Sequence, residues 1–250
     1  MAKYQYGWKK QQLDHRDLKY TAYPIDPKHP IDLRPEMPQV YDQGQTGSCV
    51  GNATAAAIQY TRMAQSLPNW VPSRLFIYYN ARVLEGTTDQ DAGSEIRDAV
   101  KQVVKLGVCS EIEWPFDPAQ LTTKPSDVSY ELATHAKVIK YAAVAQKLDH
   151  LLSCLNHNLP IIFGCNVFDA MESENAARSG IITMPEPDEQ SIGGHAMLIV
   201  GWKPDSQQFI VRNSWGSGWG LGGYCLFPRD YILNPDLSSD FWTVLLDARN

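Results

Sequence analysis

Cys49, His195 and Asn213 lie far apart in the chain, yet their side chains are the types that nucleophilic catalysis through sulfur requires. Cys49 ends the glycine-rich stretch "YDQGQTGSC" and is followed at once by "VGNATAAA", a run of high helix propensity. A thiol at a helix start lies beside unpaired backbone N–H groups and the positive end of the helix dipole. Both favour the thiolate, which is the nucleophilic form. A small buried apolar residue is the competing role for any free cysteine, so the partners of Cys49 have to decide.

A sulfur nucleophile needs a base, and the base needs a group that orients it. His195, in "IGGHAMLIVGW", follows two glycines and opens an apolar run, which places an imidazole at a strand end facing a cleft. Asn213, in "FIVRNSWGSGWG", closes another apolar run, with Trp215 and Trp219 just behind it. An asparagine carbonyl can hold one imidazole nitrogen so that the other faces a thiol, and a neighbouring tryptophan can keep water off that bond. Each stretch alone also reads as an ordinary strand end or an aromatic-plugged turn. Their combination carries the argument.

Taken together, these stretches resemble the papain-like cysteine peptidases. That family carries a local Cys-Gly-Ser/Ala-Cys-Trp/Tyr signature, with its histidine roughly 130–150 residues downstream. His195 falls inside that window and Asn213 just beyond it. By resemblance Cys49 is the nucleophile, His195 the general base and acid, and Asn213 the orienting amide. Gln43 is the oxyanion-hole glutamine, and Trp215 shields the His–Asn pair beside the substrate. The segment "Asp91-Ala92-Gly93-Ser94" falls where the family pairs with an extended substrate backbone, which makes Ala92 and Gly93 candidate binding residues. Trp114-Pro115-Phe116, after Gly107, resembles the stretch that follows there. Gly194, just before the histidine, and Gly164, where the family has a larger pocket-wall residue, imply a roomy or shallow pocket. The implied reaction is peptide-bond hydrolysis through a thioester, by a two-lobe α+β protein with a helical lobe, an antiparallel β-barrel lobe and a cleft between them. A non-catalytic binding module on the same scaffold, and an acyl-transfer or deamidating enzyme with the same triad, are the alternatives.

The resemblance runs from about Asp32 to Gly223 and has departures. Val50 replaces the family's bulky residue after the nucleophile. Thr46 stands where the family has a cysteine, and Asp91 does not restore that cysteine's partner, so the family's structural disulfides are expected to be absent. Residues 1–28 are expected to be an extension, in place of the family's long pro-segment. They are either a short inhibitory segment lying in the cleft or a strap on the back of a lobe. Residues 29–250 are expected to form the catalytic domain, with helices over about 40–130 and strands over about 131–250.

The bulk composition narrows the class. Hydrophobic residues make up 44% and charged residues 20% of 250, which is an ordinary globular balance. The net charge of −6 offers no basic field for nucleic acid or an anionic membrane. No apolar run is long enough to span a membrane, and the polar N-terminus lacks a secretory h-region. The expected setting is therefore cytoplasmic, or exported without a classical signal. The expected form is a monomer acting on peptides or proteins without a cofactor or metal. The five scattered cysteines (49, 109, 154, 165 and 225) make a poor disulfide framework and fit a reducing compartment. Cys154–Cys165 is the first pair to suspect. His150, Cys154 and His157 share a helix face and could hold zinc, but neighbouring leucines make that face a rim of the core. The G-x-G-x-x-G of Gly218–Gly223 runs on into an apolar strand, whereas a dinucleotide fingerprint must open a helix.

The elements that must position these residues can be placed by pattern. Helices are expected over 49–65, over "RLFIYYNARVL" with Ser73 as N-cap, and from Ser94 to a stop at Gly107. Short strands are expected in "AKVIKYAAVA", "PIIFGCNV", "HAMLIVGW", "QFIVRNSW", "GYCLFP" and "FWTVLL", with one helix, "LDHLLSCLNHN", among them.

Overall fold

The computed structural model describes residues 4–136 and 140–245. Three helices form one side of the molecule: α1 (Cys49–Ala64), α2 (Arg74–Glu85) and α3 (Ile96–Leu106). The N-cap reading of Ser73 holds, since its hydroxyl accepts the Phe76 N–H. The stop at Gly107 has a steric reason. Its φ is +81°, and a Cβ there would lie 1.8 Å from the Ala133 carbonyl oxygen. A short helix, α4 (Asp127–Ala133), was not visible in the sequence pattern; Ser126 caps it by accepting the Ser129 N–H.

Helix α1 runs through the interior. Every residue from Cys49 to Thr61 is buried. Its alanines keep it thin, and Gly51 lets it approach α2 so closely that a Cβ would sit 2.6 Å from the Arg74 carbonyl oxygen.

The other side is an antiparallel sheet built from β2 (Lys140–Ala143), β3 (Ile161–Val167), β4 (Gly193–Lys203), β5 (Gln208–Arg212), β6 (Tyr224–Pro228) and β7 (Ser238–Leu245), with β1 (Ile31–Asp32) added against β4. The strand order is β2-β7-β3-β4-β5-β6. The first residues of the expected "AKVIKYAAVA" strand include 137–139, which lie outside the described residues. Helix α5 (Leu148–Asn156) is the expected interruption, and three short helices, α6 (Asp169–Glu172), α7 (Glu174–Ser179) and α8 (Arg229–Leu233), were not anticipated. Strands β3 and β4 are buried almost throughout, which is why they read as continuous apolar runs rather than alternating ones. Phe163, Phe227 and Phe241 fill the sheet side of the core; burial of each such ring stabilises by about 1.5–3 kcal/mol.

All five cysteines are free and buried, Cys154 and Cys165 included. The Cys154 sulfur bonds the Leu159 carbonyl and His157 Nδ1 lies 2.7 Å from the Ser153 carbonyl oxygen, so two of the three groups of the suspected metal trio are already engaged. The Gly218–Gly223 stretch is a turn leading into β6. No helix among the described residues is long and apolar enough to cross a membrane.

Residues 4–28 run over the surface in extended form. The backbone of Trp8 and Lys9 meets Ser94 and Gly194, and further on Leu18 and Tyr20 bond both sides of Ala143 on β2. Its first residues thus lie against the Ser94 and Gly194 backbone, and later ones run along β2.

Candidate active site

Cys49 is the first residue of α1, reached through the loop 43–48. That loop is tied by polar side chains. Thr46 Oγ1 donates to the Gln43 carbonyl at 2.8 Å and lies 2.6 Å from Ser48 Oγ, while Asn52 Nδ2 donates to the Ser48 carbonyl at 3.0 Å. His195 sits near the start of β4, opposite Cys165 on β3. Asn213 directly follows β5, the other neighbour of β4. Central helix and sheet thus bring residues from three distant stretches to one place.

The imidazole is held by Asn213. His195 Nε2 lies 2.8 Å from Asn213 Oδ1, and the Ser214 N–H donates to the same oxygen at 2.8 Å, which fixes that oxygen as an acceptor and Nε2–H as the donor. Nδ1 is buried without a hydrogen-bond partner. Trp215 stacks on the imidazole, with ring centroids 5.0 Å apart, and packs edge-on against Trp219. The backbone N–H of Ala196, next to the imidazole, points at the Cys49 sulfur.

The electrostatics depart from the thiolate expected of a helix start. Cys49 and His195 are both fully buried. Burial pushes the Cys49 thiol up to about 11, against the backbone N–H groups of Ala196, Gly7 and Val50, which favour the thiolate; the Asp91 charge also raises it. Burial likewise lowers His195 to about 4, against its bond to Asn213. The pair is therefore neutral. Desolvation outweighs the helix terminus because a further piece of chain covers both groups.

That piece is Tyr4–Trp8. Tyr4 stacks on Trp215 at 3.8 Å, Tyr6 lies edge-on to His195, and Gly7 passes over the sulfur. The Tyr6 hydroxyl donates to Glu172 at 2.5 Å. The Ser94 N–H donates to the Gly7 carbonyl at 2.7 Å, and the Trp8 N–H to the Gly194 carbonyl at 2.9 Å. A Cβ on Gly93 would lie 2.2 Å from the Gly7 oxygen, and one on Gly164 would lie 1.9 Å from the indole of Trp8. Gly93, Gly164, Gly194 and Trp215 thus all touch the segment. Ala92 is half-buried on the same loop, and Ser94 rather than Ala92 pairs with the segment.

Gln43 is buried near Cys49, but its amide is partly engaged. Nε2 donates to the Thr46 carbonyl at 2.8 Å, and Oε1 accepts from Ser214 Oγ at 2.5 Å. Ser214 thereby supports both Gln43 and Asn213, a role that no spacing signal marked. Asp91 also does more than its sequence position suggested. Its carboxylate accepts from the Gly47 N–H at 2.8 Å and from the Tyr78 hydroxyl, whose oxygen accepts the Gly93 N–H at 2.9 Å. A polar bridge thus joins the Cys49 loop to the Gly93 loop, between stretches where the sequence led us to expect no disulfide.

Helices on one side, an antiparallel sheet on the other, and a thiol, an imidazole and an amide gathered where they meet define the class of thiol proteases. The chain belongs to the papain family of cysteine proteases, whose family profile matches residues 28–238. It is a hydrolase of peptides or proteins. Its structure is similar to xylellain, a cysteine protease from Xylella fastidiosa, with a TM-score of 0.90 and 40% identity over 97% of this chain and 96% of that one. It is 42% identical to an uncharacterized peptidase C1-like protein of Acanthamoeba polyphaga mimivirus, over 96% of this chain and 86% of the relative. Ananain of Ananas comosus is 28% identical over 76% of this chain, which spans about half the length of ananain (52%).

Proposed function

We propose that the protein is a latent cysteine endopeptidase using Cys49, His195 and Asn213 as its triad, closed by its own residues 4–8. When the cleft opens, His195 Nδ1 takes the Cys49 proton and the sulfur attacks the peptide carbonyl carbon. The oxyanion is held by the Cys49 N–H and by Gln43 Nε2–H, which has a second hydrogen beyond the one given to Thr46. His195 then protonates the leaving amine as the C–N bond breaks, leaving a thioester. Water, deprotonated by His195, attacks the thioester and releases the acid and the thiol. Asn213 keeps Nε2 protonated, so that the lone pair stays on Nδ1.

The observation that carries this reading is the bond from His195 to Asn213, beside a buried Nδ1 left without a partner, with the N–H of the next residue, Ala196, acting on the helix-terminal thiol of Cys49. The test is hydrolysis of a fluorogenic peptide mixture by the full chain carrying Gly7→Ala. An acyl-enzyme adduct on Cys49 should be detectable by mass spectrometry. His195→Ala should cost about 1,000-fold or more in kcat and Asn213→Ala less, because packing by Trp215 still holds the ring. Turnover that persists in Cys49→Ala, or no turnover and no alkylation of Cys49 once the segment is displaced, would overturn the reading.

A further inference from the structure

The two oxyanion donors assigned above belong to Gln43 and Cys49, at opposite ends of one loop, and a single guanidinium reaches both ends. Arg74, the first residue of α2, directs Nη1 at two acceptors: the Asp42 carbonyl at 3.0 Å and Asn52 Oδ1 at 3.1 Å. The Asp42 carbonyl shares its peptide unit with the Gln43 N–H, which donates to the Ser214 carbonyl at 2.9 Å, so that unit is pinned at both ends. Asn52, itself fully buried, passes the hold on to the other end. Its Nδ2 donates to the Ser48 carbonyl and to Ser48 Oγ, each at 3.0 Å. The Ser48 carbonyl shares its peptide unit with the Cys49 N–H, which opens a helix and so has no intrahelical partner. The guanidinium is itself held on its remaining edge. Glu111 accepts from Nε at 2.8 Å and from Nη2 at 2.7 Å, and the rings of Phe116 and Tyr41 lie 3.9 and 4.9 Å from Cζ.

We propose that Arg74 is a positioning residue of the oxyanion hole, acting on Gln43 through the Asp42 peptide and on Cys49 through Asn52. The proposal rests on the peptidase reading and adds to it a side chain remote from both thiol and imidazole. A planar fork tied to a carboxylate along one edge cannot rotate, so it fixes the spacing of the two donors before a substrate arrives. Donors fixed in advance need no rearrangement when charge develops on the carbonyl oxygen. The cation at Asn52 Oδ1 also polarises that amide. Its Nδ2–H then pulls harder on the Ser48 carbonyl, and the Cys49 N–H of the same peptide becomes a stronger donor. Lysine would keep the charge and lose the fork, since an ammonium has three N–H groups for the contacts to both Glu111 oxygens, the Asp42 carbonyl and Asn52. The benefit falls on steps that build an oxyanion. Alkylation of the sulfur builds none.

The experiment uses the full chain with Gly7→Ala, alone and combined with Asn52→Ala, Arg74→Lys or both. Three rates are read at neutral pH: acylation of Cys49 by 4-nitrophenyl acetate, its alkylation by iodoacetamide, and turnover of a fluorogenic peptide. Asn52→Ala keeps the backbone bond from residue 52 to the Ser48 carbonyl at 3.0 Å, so the helix start survives. The ratio of acylation to alkylation should fall about ten-fold in Asn52→Ala and in Arg74→Lys, less than the loss of a whole oxyanion donor. For the peptide, kcat should fall with that ratio while KM stays within about two-fold. The double variant should lose less than the product of the single losses, because both changes act on the same N–H. Glu111→Gln keeps the shape of the pair and should lower the ratio about three-fold, which tests Arg74 even if Arg74→Lys destabilises the chain. An unchanged ratio, as a merely structural role would give, or single losses that multiply in full, would overturn the proposal. A ratio that falls as expected in a chain that cleaves no peptide would leave Arg74 in its role and sink the peptidase reading instead.

Discussion

Between Tyr4 and Trp8 the N-terminal segment touches the body with aromatic rings and bare backbone, whereas between Lys9 and Pro27 it is held by ion pairs and a strand edge. In the first part, Tyr4 lies on Trp215, Gly7 on the sulfur and Trp8 between glycines. In the second, Lys9 pairs with Glu85, Asp17 with Arg97, and Leu18 and Tyr20 bond Ala143 on β2. The first part fits surfaces that any extended peptide could use. The second fits only this segment, because its partners are specific charges placed for it. Occlusion and attachment are thus divided between two short stretches, and each should yield to its own substitution.

The largest separation is expected from one methyl group. A Cβ on Gly7 would lie 1.7 Å from the Gly47 carbonyl oxygen, and the neighbouring atoms are backbone that cannot move aside. Gly7→Ala should therefore displace the first part while the second still holds. In the closed form the thiol is pushed up to about 11, so its alkylation by iodoacetamide should be slow at neutral pH and rise steeply in alkali. Exposure returns the thiol toward about 8.5, where roughly 300-fold more is ionised at neutral pH. The midpoint of the alkylation profile should fall by about two and a half pH units in Gly7→Ala, with little change in Tm. Identical profiles in the two proteins would mean that residues 4–8 do not control the thiol.

The contrast between the two parts also bears on what could be read from sequence. Helices α1 to α3 and the longer strands were legible because apolar spacing and the Ser73 and Gly107 signals are local. The order Cys49, His195, Asn213 was legible because it follows a known pattern. The path of residues 4–28 was open between two roles, since aromatic residues in an extended stretch carry no periodicity. The neutral thiol was missed for the same reason: the helix start is local, but the cover comes from 42 residues earlier, at Gly7. Asp91, Tyr78, Ser214 and Arg74 act through partners far away in sequence, and no motif announces a hydrogen bond between loops.

A smaller effect, on stability rather than on access, is expected from the second part. Asp17 and Arg97 form an ion pair at 2.8 Å with side chains only 9% and 8% exposed. Asp17→Asn leaves the guanidinium with the Gln12 carbonyl and a neutral amide. Breaking a buried pair on one side costs about 3 kcal/mol, which corresponds to a Tm loss on the order of 6–12 °C in a chain of this size. The neutral-pH alkylation rate should change less than about two-fold. A rate as high as that of Gly7→Ala would show that the two parts let go together.

The smallest effect concerns the wall against which the first part lies. Tyr78 accepts the Gly93 N–H and donates to Asp91, which separately holds the Gly47 N–H. Tyr78→Phe removes the support of Gly93 and leaves the bond between Asp91 and Gly47 in place. Gly93 belongs to the loop that carries the backbone pairing with an extended chain, while Gly47 belongs to the loop that leads into Cys49. On the proposed reading, loss of the Gly93 bond, worth about 1 kcal/mol at the bound chain, should raise KM about five-fold in a Gly7→Ala background, with kcat nearly unchanged, the lost bond from Tyr78 to Asp91 falling outside the bound chain. Asp91→Ala releases both loops and should lower kcat as well. A fall in kcat from Tyr78→Phe alone would mean that the two loops move as one unit, and that the polar bridge serves the thiol as directly as it serves the bound chain.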